Sequence, residues 1–325
     1  MNRFITIKLS VFFCTMSLVA ASDEPRSGYI PLHENGILSH PAQQICHVLG
    51  AENVRTVGQM NAHAQPHWLR RIDSRTTKQD HPLLPLMTEH KETIIKNLRA
   101  LGMIDRLYPP QHHYSYLMIL SDHRFSVQER VNHVQLLTDE GYTFDHIALL
   151  SGHMPLEEDE QEGLPAEVST QTEMIIHLYN KLPCSTKYPL SVIIDSAMIK
   201  RPDGSEARPN TDTTYVDFMK TVQTRDDLKD GSCLVISQAQ YALRQTEVGK
   251  RLVDQTRFPM HAAGPASSPD TDIVVRIDEF ARRGYEANIA LLMTLIPCKI
   301  GSKLTPEEML IYFQKQLARV PSASL

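Results

Sequence analysis

Short apolar runs alternate with amphipathic segments along the chain from residue 114 onward. Four of the runs have the length and aliphatic content of buried strands: residues 116–120, 147–150, 190–194 and 233–236. A polar turn follows each run, and the segments between the runs carry apolar residues at helical spacing. This alternation predicts an α/β fold with a doubly wound, Rossmann-like and mostly parallel sheet.

Polar residues at the start of the amphipathic segments predict where helices begin. Ser126 with Glu129, and Thr170 with Glu173, have the spacing of capping boxes, in which two side chains satisfy free backbone N–H groups. A fifth strand is predicted at residues 258–263, where a proline confines it to a sheet edge. An acidic stretch, LEEDEQEGLPAE, is predicted to be a solvated insertion.

Both ends of the chain are predicted to be helical extensions of this domain. The N-terminal pattern predicts one helix from His40 to Gly50 and another at residues 87–101. Further helices are predicted at residues 278–295 and from Thr305. The predicted division is a signal peptide at 1–21, a helical N-terminal extension at 22–110, the α/β domain at 111–265 and a helical segment packed on it at 266–325.

The first residues have the pattern of an export signal. Arg3 and Lys8 precede an apolar run at residues 9–19, and small residues up to Ala21 match a cleavage site. The alternative is an uncleaved anchor, for which the run is short. Cleavage near Ala21 removes two positive charges and changes the formal net charge from -5 to -7. The expected location is periplasmic or secreted.

Charge and cysteine content narrow the function classes. A net charge of -5 without a basic run argues against a nucleic-acid partner, since such proteins neutralise phosphates. Cys46, Cys184, Cys233 and Cys298 are widely separated and form no metal-binding or redox spacing. One or two disulfides are compatible with an oxidising compartment, and Cys233 is expected in the core.

Polar residues gather where the predicted strands end. In a doubly wound sheet, ligands bind outside the carboxyl ends of the strands. Candidate catalytic residues are Asp122 and Asp195, and the candidate ligand-binding residues are Ser121, Ser151, Gly152, His153, Glu173, Asn210, Thr211, Gln238 and Arg244.

The roles of these residues stay open at this point. Asn210, Thr211 and Arg244 are suited to an anion cradle, because a helix N-terminus and a guanidinium both attract negative charge. Their structural alternatives are a helix cap and a surface ion pair. Glu173 is expected to cap its own helix. A metal site built on aspartate and histidine from these turns is the weaker reading, and no metal is expected.

Six short motifs follow one another on the predicted elements. They are Leu120-Ser121-Asp122, Arg130, Leu150-Ser151-Gly152-His153, Thr172-Glu173, Asp195 followed by Asn210-Thr211-Asp212-Thr213-Thr214, and residues 238–246 (QAQYALRQT). In this order they resemble the YdcF, SanA and ElyC group, domain of unknown function 218. Residues 116 to about 255 carry the resemblance, and residues 238–246 are most similar to the YdcF branch.

The chain departs from the group's pattern at several positions. His153 replaces a glycine, Thr213-Thr214 replaces a Glu-Asn pair, and Gln245 replaces an arginine. The resemblance implies an α/β protein of the cell envelope and, from one branch, S-adenosylmethionine as a ligand, although export argues against that cytosolic cofactor. The expected function is therefore an exported, YdcF-like protein that binds a small polar or nucleotide-like ligand, with peripheral envelope association. The alternatives are a hydrolase of envelope precursors, with or without a metal, and a non-catalytic envelope scaffold.

Overall fold

A five-stranded, all-parallel sheet forms the centre of the molecule. The computed structural model describes residues 28–69, 81–200 and 204–294. The sheet strands are β3 (His113–Leu120), β4 (Thr143–Gly152), β5 (Leu190–Ser196), β8 (Cys233–Ile236) and β9 (Met260–Ala263). Their spatial order is β5-β4-β3-β8-β9. The predicted doubly wound, Rossmann-like α/β class is confirmed.

The order of the strands creates a crevice beside β3. The chain moves outward from β3 through β4 to β5 and then returns to the other side of β3, where β8 pairs with it. At such a reversal the connections leave the sheet on opposite sides and open a space at the carboxyl ends of the strands. The predicted fifth strand is β9, and it lies at an edge as expected.

Helices cover both faces of the sheet, because its strands present apolar residues to both sides. The covering helices are α5 (Arg124–Asp139), α7 (Gln171–Asn180), α8 (Thr211–Thr224) and α9 (Ala239–Leu252). Leu117 and Ile119 of β3 pack in the core beneath α5 and α7, whereas Tyr116 and Met118 pack in the core beneath α8 and α9.

A third core joins the N-terminal helices to the last described helix. The N-terminal elements are β1 (His33–Glu34), β2 (Ile37–Leu38), α1 (His40–Val48), α2 (Val57–His67), α3 (Leu84–Glu89) and α4 (Lys91–Ala100). Helix α10 (Ile273–Thr294) packs against both α2 and α9. Trp68 and Phe280 stack in this core with ring centroids 6.2 Å apart. Helix α10 thus connects the N-terminal layer to the sheet domain.

Three predicted details are wrong. Helix α5 begins at Arg124, so Ser126 lies within the helix and forms no capping box with Glu129. The acidic stretch is not simply solvated, because it contains α6 (Glu158–Gln161) and buries Glu160, which accepts hydrogen bonds from two backbone N–H groups. The pattern at 87–101 corresponds to two helices, α3 and α4, instead of one.

Two N-terminal elements were not predicted, although the sequence carries signals for both. Strands β1 and β2 form a hairpin whose turn contains Asn35 and Gly36, both with positive φ. An Asn-Gly pair is a strong hairpin signal. Helix α2 begins with a capping box between Thr56 and Gln59, a spacing that is visible in the sequence.

The structure also bears on the predictions for the cysteines and for the polar excursion before α8. Cys46, Cys184 and Cys233 are buried free thiols, so no disulfide joins them, and Cys233 lies in the core as expected. The strands β6 (Ile199–Lys200) and β7 (Glu206–Ala207) pair in the excursion before α8. Among the described helices, none is long and apolar enough to span a membrane. The signal peptide, Cys298 and the helix from Thr305 lie outside the described residues, and the domain boundaries stay predictions.

Candidate functional site

A cavity of about 320 Å³, named here the edge cavity, opens at the carboxyl ends of β3 and β4. Loops that follow β3, β4 and β5 form its walls together with α9. Seven of the predicted site residues line it: Ser121, Asp122, Ser151, Gly152, Asn210, Thr211 and Arg244. The structure therefore brings together turns that are separated by more than a hundred residues in the chain.

Four predicted site residues do not line this cavity: His153, Glu173, Asp195 and Gln238. Glu173 accepts hydrogen bonds from the backbone N–H groups of Ser169 and Thr170, which is its expected capping role. These hydrogen bonds lower the pKa of Glu173. Gln238 is buried and binds Arg130.

Arg130 fixes the loop after β3. Its guanidinium is fully buried, and it donates to the carbonyl oxygen of Leu120 at 2.6 Å, to Asp122 Oδ2 at 2.6 Å and to Gln238 Oε1 at 2.6 and 2.9 Å. Burial lowers the pKa of Arg130 and the carboxylate of Asp122 opposes this effect. Arg130 is thus a positioning residue that joins the turns after β3 and β8.

Asp122 is the predicted catalytic residue that lines the edge cavity. Its Oδ2 accepts a hydrogen bond from Arg130, and its Oδ1 accepts one from the backbone N–H of His123 at 2.9 Å. A carboxylate that accepts hydrogen bonds from a buried guanidinium and from a backbone N–H is held in a fixed orientation. Asp122 is therefore suited to hold a hydroxyl or amine donor of a ligand.

Asp195 belongs to a second cluster, beside the edge cavity. Its Oδ2 lies 2.7 Å from Nδ1 of His153, and its Oδ1 accepts a hydrogen bond from Thr172 at 2.6 Å. The His153 side chain is 63% exposed. The hydrogen bond to Asp195 raises the pKa of His153. The two predicted catalytic carboxylates thus have different partners, and Asp195 does not line the cavity that Asp122 lines.

The N-terminus of α8 forms one wall of the edge cavity. Asn210 caps this helix, accepting a hydrogen bond from the backbone N–H of Thr213 at 3.0 Å. Its predicted capping role is confirmed. Pro209, the residue before Asn210, lies against Gly152 of β4. A Cβ atom at position 152 would approach Pro209 Cγ to 2.3 Å. Only glycine lets β4 come this close to the start of α8.

Two arginines contribute positive charge to the edge cavity. Arg244 donates through Nε to Glu279 of α10 at 2.7 Å, and its side chain is largely buried. No described residue accepts a hydrogen bond from its two Nη groups. Arg208 pairs with Glu157 at 3.0 Å on the exposed side. Arg244 can therefore form the ion pair and also contact a ligand, because the ion pair uses only one of its three guanidinium nitrogens.

Buried polar atoms without hydrogen-bond partners also belong to residues of this cavity. Ser121 Oγ and Gln245 Oε1 have no partner among the described residues. Such atoms are rare in folded proteins, because an unpaired buried polar group is costly. Ser121 was predicted from the sequence, whereas Gln245, the neighbour of Arg244 on α9, was not. A ligand with a hydrogen-bond donor and acceptor would satisfy both.

Several cavity residues were missed by the sequence analysis. Besides Gln245, they are Met154, Gln171, Arg208, Pro209 and Thr214. Arg208 and Pro209 immediately precede the predicted cap Asn210, so their position next to a site residue was the available signal. The arginine in particular changes the charge of the site.

The described residues contain no cluster of three or more side chains suited to hold a metal ion. Comparison of the chain with protein-family models, curated proteins and solved structures gave no match.

Proposed function

We propose that the chain is an exported, YdcF-like protein of the cell envelope that binds a small anionic or nucleotide-like ligand in the edge cavity. The observation that carries this proposal is the hydrogen bonding of the Arg244 guanidinium. Its guanidinium is held in place by Glu279, yet both Nη groups have no acceptor among the described residues. An arginine fixed in this way is preorganised for a carboxylate or phosphate.

The surroundings of Arg244 support an anion as the charged part of the ligand. The start of α8 presents backbone N–H groups and the positive end of the helix dipole. Arg208 adds a second positive charge to the same cavity. Asp122 is the carboxylate of the lining, and its charge is offset by Arg130.

The polar groups on the other walls supply the specificity for the remainder of the ligand. Ser121 Oγ and Gln245 Oε1 are available as donor and acceptor, and Asp122 accepts from a hydroxyl or amine. A nucleoside monophosphate has this combination of an anion, hydroxyls and an amine. S-adenosylmethionine, which the resemblance implies, carries a carboxylate and an adenosine and belongs in the same test.

Calorimetric titration of the full chain with inorganic phosphate, AMP, adenosine and S-adenosylmethionine tests the proposal. We expect AMP or S-adenosylmethionine to bind, and adenosine to bind at least tenfold more weakly, because charge-assisted hydrogen bonds contribute about 1.5–3 kcal/mol. Arg244→Met should remove this difference. The matched control is Arg257→Met, since Arg257 pairs with Asp230 on the surface outside the cavity. Binding of none of these probes, or equal binding by Arg244→Met, contradicts the proposal.

A hydrolase of envelope precursors is the second candidate. The hydrogen bond between His153 and Asp195 favours it, because a histidine oriented by a carboxylate is a common general base. His153 directly follows the cavity residue Gly152. Ester hydrolysis by the wild-type chain that is lost in His153→Gln, and retained in the presence of chelator, would support this candidate.

Export has its own test. We expect the mature chain in the periplasmic or secreted fraction to begin near Ser22, as measured by intact-mass spectrometry. A chain of full mass in the cytoplasm would contradict export without affecting the ligand proposal.

A further inference from the structure

A second cavity, of about 380 Å³, lies on the other flank of α9 and is named here the helical cavity. Its walls are the sides of α9 and α10 and the segment that leads into β1. Most of the lining is apolar, with Leu32, Leu243, Ala287, Ala290 and Leu291 among the contributing residues. A cavity of this size with aliphatic walls is suited to a hydrocarbon chain.

One cation lies in this apolar lining. Arg283 of α10 is 7% exposed, and its Nη1 donates to the carbonyl oxygen of Leu101 at 2.8 Å. No described residue accepts a hydrogen bond from its Nε or Nη2, and no described carboxylate forms an ion pair with it. Burial lowers the pKa of Arg283, but an arginine side chain stays charged in proteins. A buried charge without an ion-pair partner is unfavourable unless a ligand supplies one, and Glu247 acts on Arg283 only through space.

The other ionisable groups of the helical cavity limit the charge of that ligand. Glu247 of α9 lines the cavity and pairs with Lys250 at 3.1 Å, at a partly exposed position. His33 accepts a hydrogen bond through Nδ1 from the backbone N–H of Gly36 at 3.3 Å, which is the bonding pattern of a neutral ring. One unpaired cation beside one carboxylate favours a monoanion over a dianion, because Glu247 repels the second negative charge.

We propose that the helical cavity binds a medium-chain fatty acid, with its carboxylate on Arg283 and its hydrocarbon chain against the aliphatic walls. The guanidinium fork matches a carboxylate, which accepts two parallel hydrogen bonds from it. This site is separate from the edge cavity and does not depend on the function proposed for that cavity. The two share α9, whose Leu243 and Glu247 face the helical cavity while Arg244 and Gln245 line the edge cavity.

Calorimetric titration of the full chain with sodium hexanoate, octanoate and decanoate, below micelle concentrations, measures the site. We expect one bound carboxylate per chain and an affinity that rises about fourfold for each added methylene group until the cavity is full. Octan-1-ol, which has the same chain length as octanoate without its charge, should bind at least tenfold more weakly than octanoate. Equal binding of the alcohol and the acid contradicts the role of Arg283.

Three variants separate the head group from the chain. Arg283→Met should weaken octanoate at least tenfold and leave octan-1-ol unchanged. Ala290→Phe, which fills the cavity and keeps the arginine, should weaken both ligands. Glu247→Gln should strengthen octanoate, because it removes the nearby negative charge. Arg99→Met is the control, since Arg99 is an exposed arginine that pairs with Asp105.

Ala290→Phe keeps the test decisive if Arg283→Met does not fold. Unchanged octanoate affinity in a folded Ala290→Phe protein would place the ligand elsewhere and overturn the proposal. Loss of octanoate binding in that variant, with AMP binding retained, supports it and keeps the outcome distinct from that for the edge cavity.

Discussion

The two cavities beside α9 differ in what forms their walls, and this difference determines what each is suited to bind. The edge cavity is formed by strand ends and a helix start, which bring backbone N–H groups, caps and polar side chains. The helical cavity is formed by helix sides, which bring aliphatic groups. Both contain a largely buried arginine, but Arg244 has a carboxylate partner and Arg283 has none among the described residues.

Arg130→Met should affect ligand binding in the two cavities most differently. Loss of this buried guanidinium leaves Asp122 Oδ2, Gln238 Oε1 and the Leu120 carbonyl oxygen without the hydrogen bonds that Arg130 donates. We expect the free energy of unfolding to fall by about 3–5 kcal/mol. Urea denaturation measures this change. The edge cavity should lose its ligand, whereas octanoate binding in the helical cavity should persist in the folded fraction.

Arg106→Met is the matched control for Arg130→Met. Arg106 also makes two hydrogen bonds to a carboxylate, Glu140, at 2.8 and 2.7 Å, but this pair lies nearer the surface. Such pairs contribute about 0–1 kcal/mol. If Arg130→Met lowers the free energy of unfolding no more than Arg106→Met does, Arg130 does not organise the site.

A smaller effect is expected from Gly152→Ala. The added Cβ would approach Pro209 Cγ to 2.3 Å, so the start of α8 must move away from β4. We expect a destabilisation of about 1–3 kcal/mol, as for other overpacked positions, together with weaker AMP binding. Gly58→Ala in α2 is the control, because a Cβ atom there meets nothing closer than Asn288 Oδ1 of α10, at 3.5 Å. Equal stability of the two variants would mean that the close approach is not required.

These expectations rest on features that the sequence revealed unevenly. The strands of the sheet were predictable because their apolar runs are continuous, and both faces of the sheet are covered. Asn210 was predictable because capping is a local interaction. Arg130 was recognised only as part of a motif, since its partner Gln238 is 108 residues away. Long-range pairs of this kind leave no periodic signal.

The helical cavity could not be predicted from the sequence. Its arginine lies on α10, and its walls come from the segment that leads into β1, from α9 and from α10, which meet only in the folded chain. Helix α10 begins at Ile273, earlier than the predicted residue 278, and Asp272 caps it by accepting a hydrogen bond from the backbone N–H of Val274 at 2.7 Å. Asp195 was predicted at the same sheet edge as Asp122, and the structure adds that its partners are His153 and Thr172 and that it does not line the edge cavity. Its position at a strand end does not determine to which side the side chain points.

The link between α9 and α10 should be visible as a pH dependence of stability. Burial raises the pKa of Glu279 above its usual value of 4.5, and the pairing with Arg244 opposes this shift. The folded state therefore holds the proton more tightly than the unfolded state. As the pH rises above about 4.5, the stability of the wild type relative to Glu279→Gln should fall, by less than about 1.4 kcal/mol per pH unit.

Glu140→Gln provides a control of opposite sign for that experiment. The hydrogen bond from Arg106 lowers the pKa of Glu140. The stability that Glu140 contributes is therefore present above its unfolded pKa and is lost as the pH falls. Urea denaturation at pH values from about 3 to about 7, which bracket the ordinary glutamate pKa of 4.5, measures the free energy of unfolding of both variants. The same sign of dependence in the two would contradict the burial of Glu279.

The smallest expected effect lies beside the edge cavity, at His153. Asp195→Asn should lower the pKa of His153 from its raised value toward 6.5, because the charged hydrogen-bond partner is lost. Proton NMR of the imidazole signal during a pH titration measures this change. Glu173→Gln removes a carboxylate that acts on His153 only through space and should change its pKa less. An unchanged pKa of His153 in Asp195→Asn would show that the hydrogen bond to Asp195 does not raise this pKa.

The central claim is that Arg244 and the start of α8 hold an anion in the edge cavity. A crystal structure of the chain with bound AMP tests it most directly. We predict the phosphate within hydrogen-bond distance of the Arg244 Nη groups and the first N–H groups of α8, with the Arg244–Glu279 pair retained. A phosphate bound elsewhere, with the edge cavity unoccupied in the same crystal, would contradict the claim.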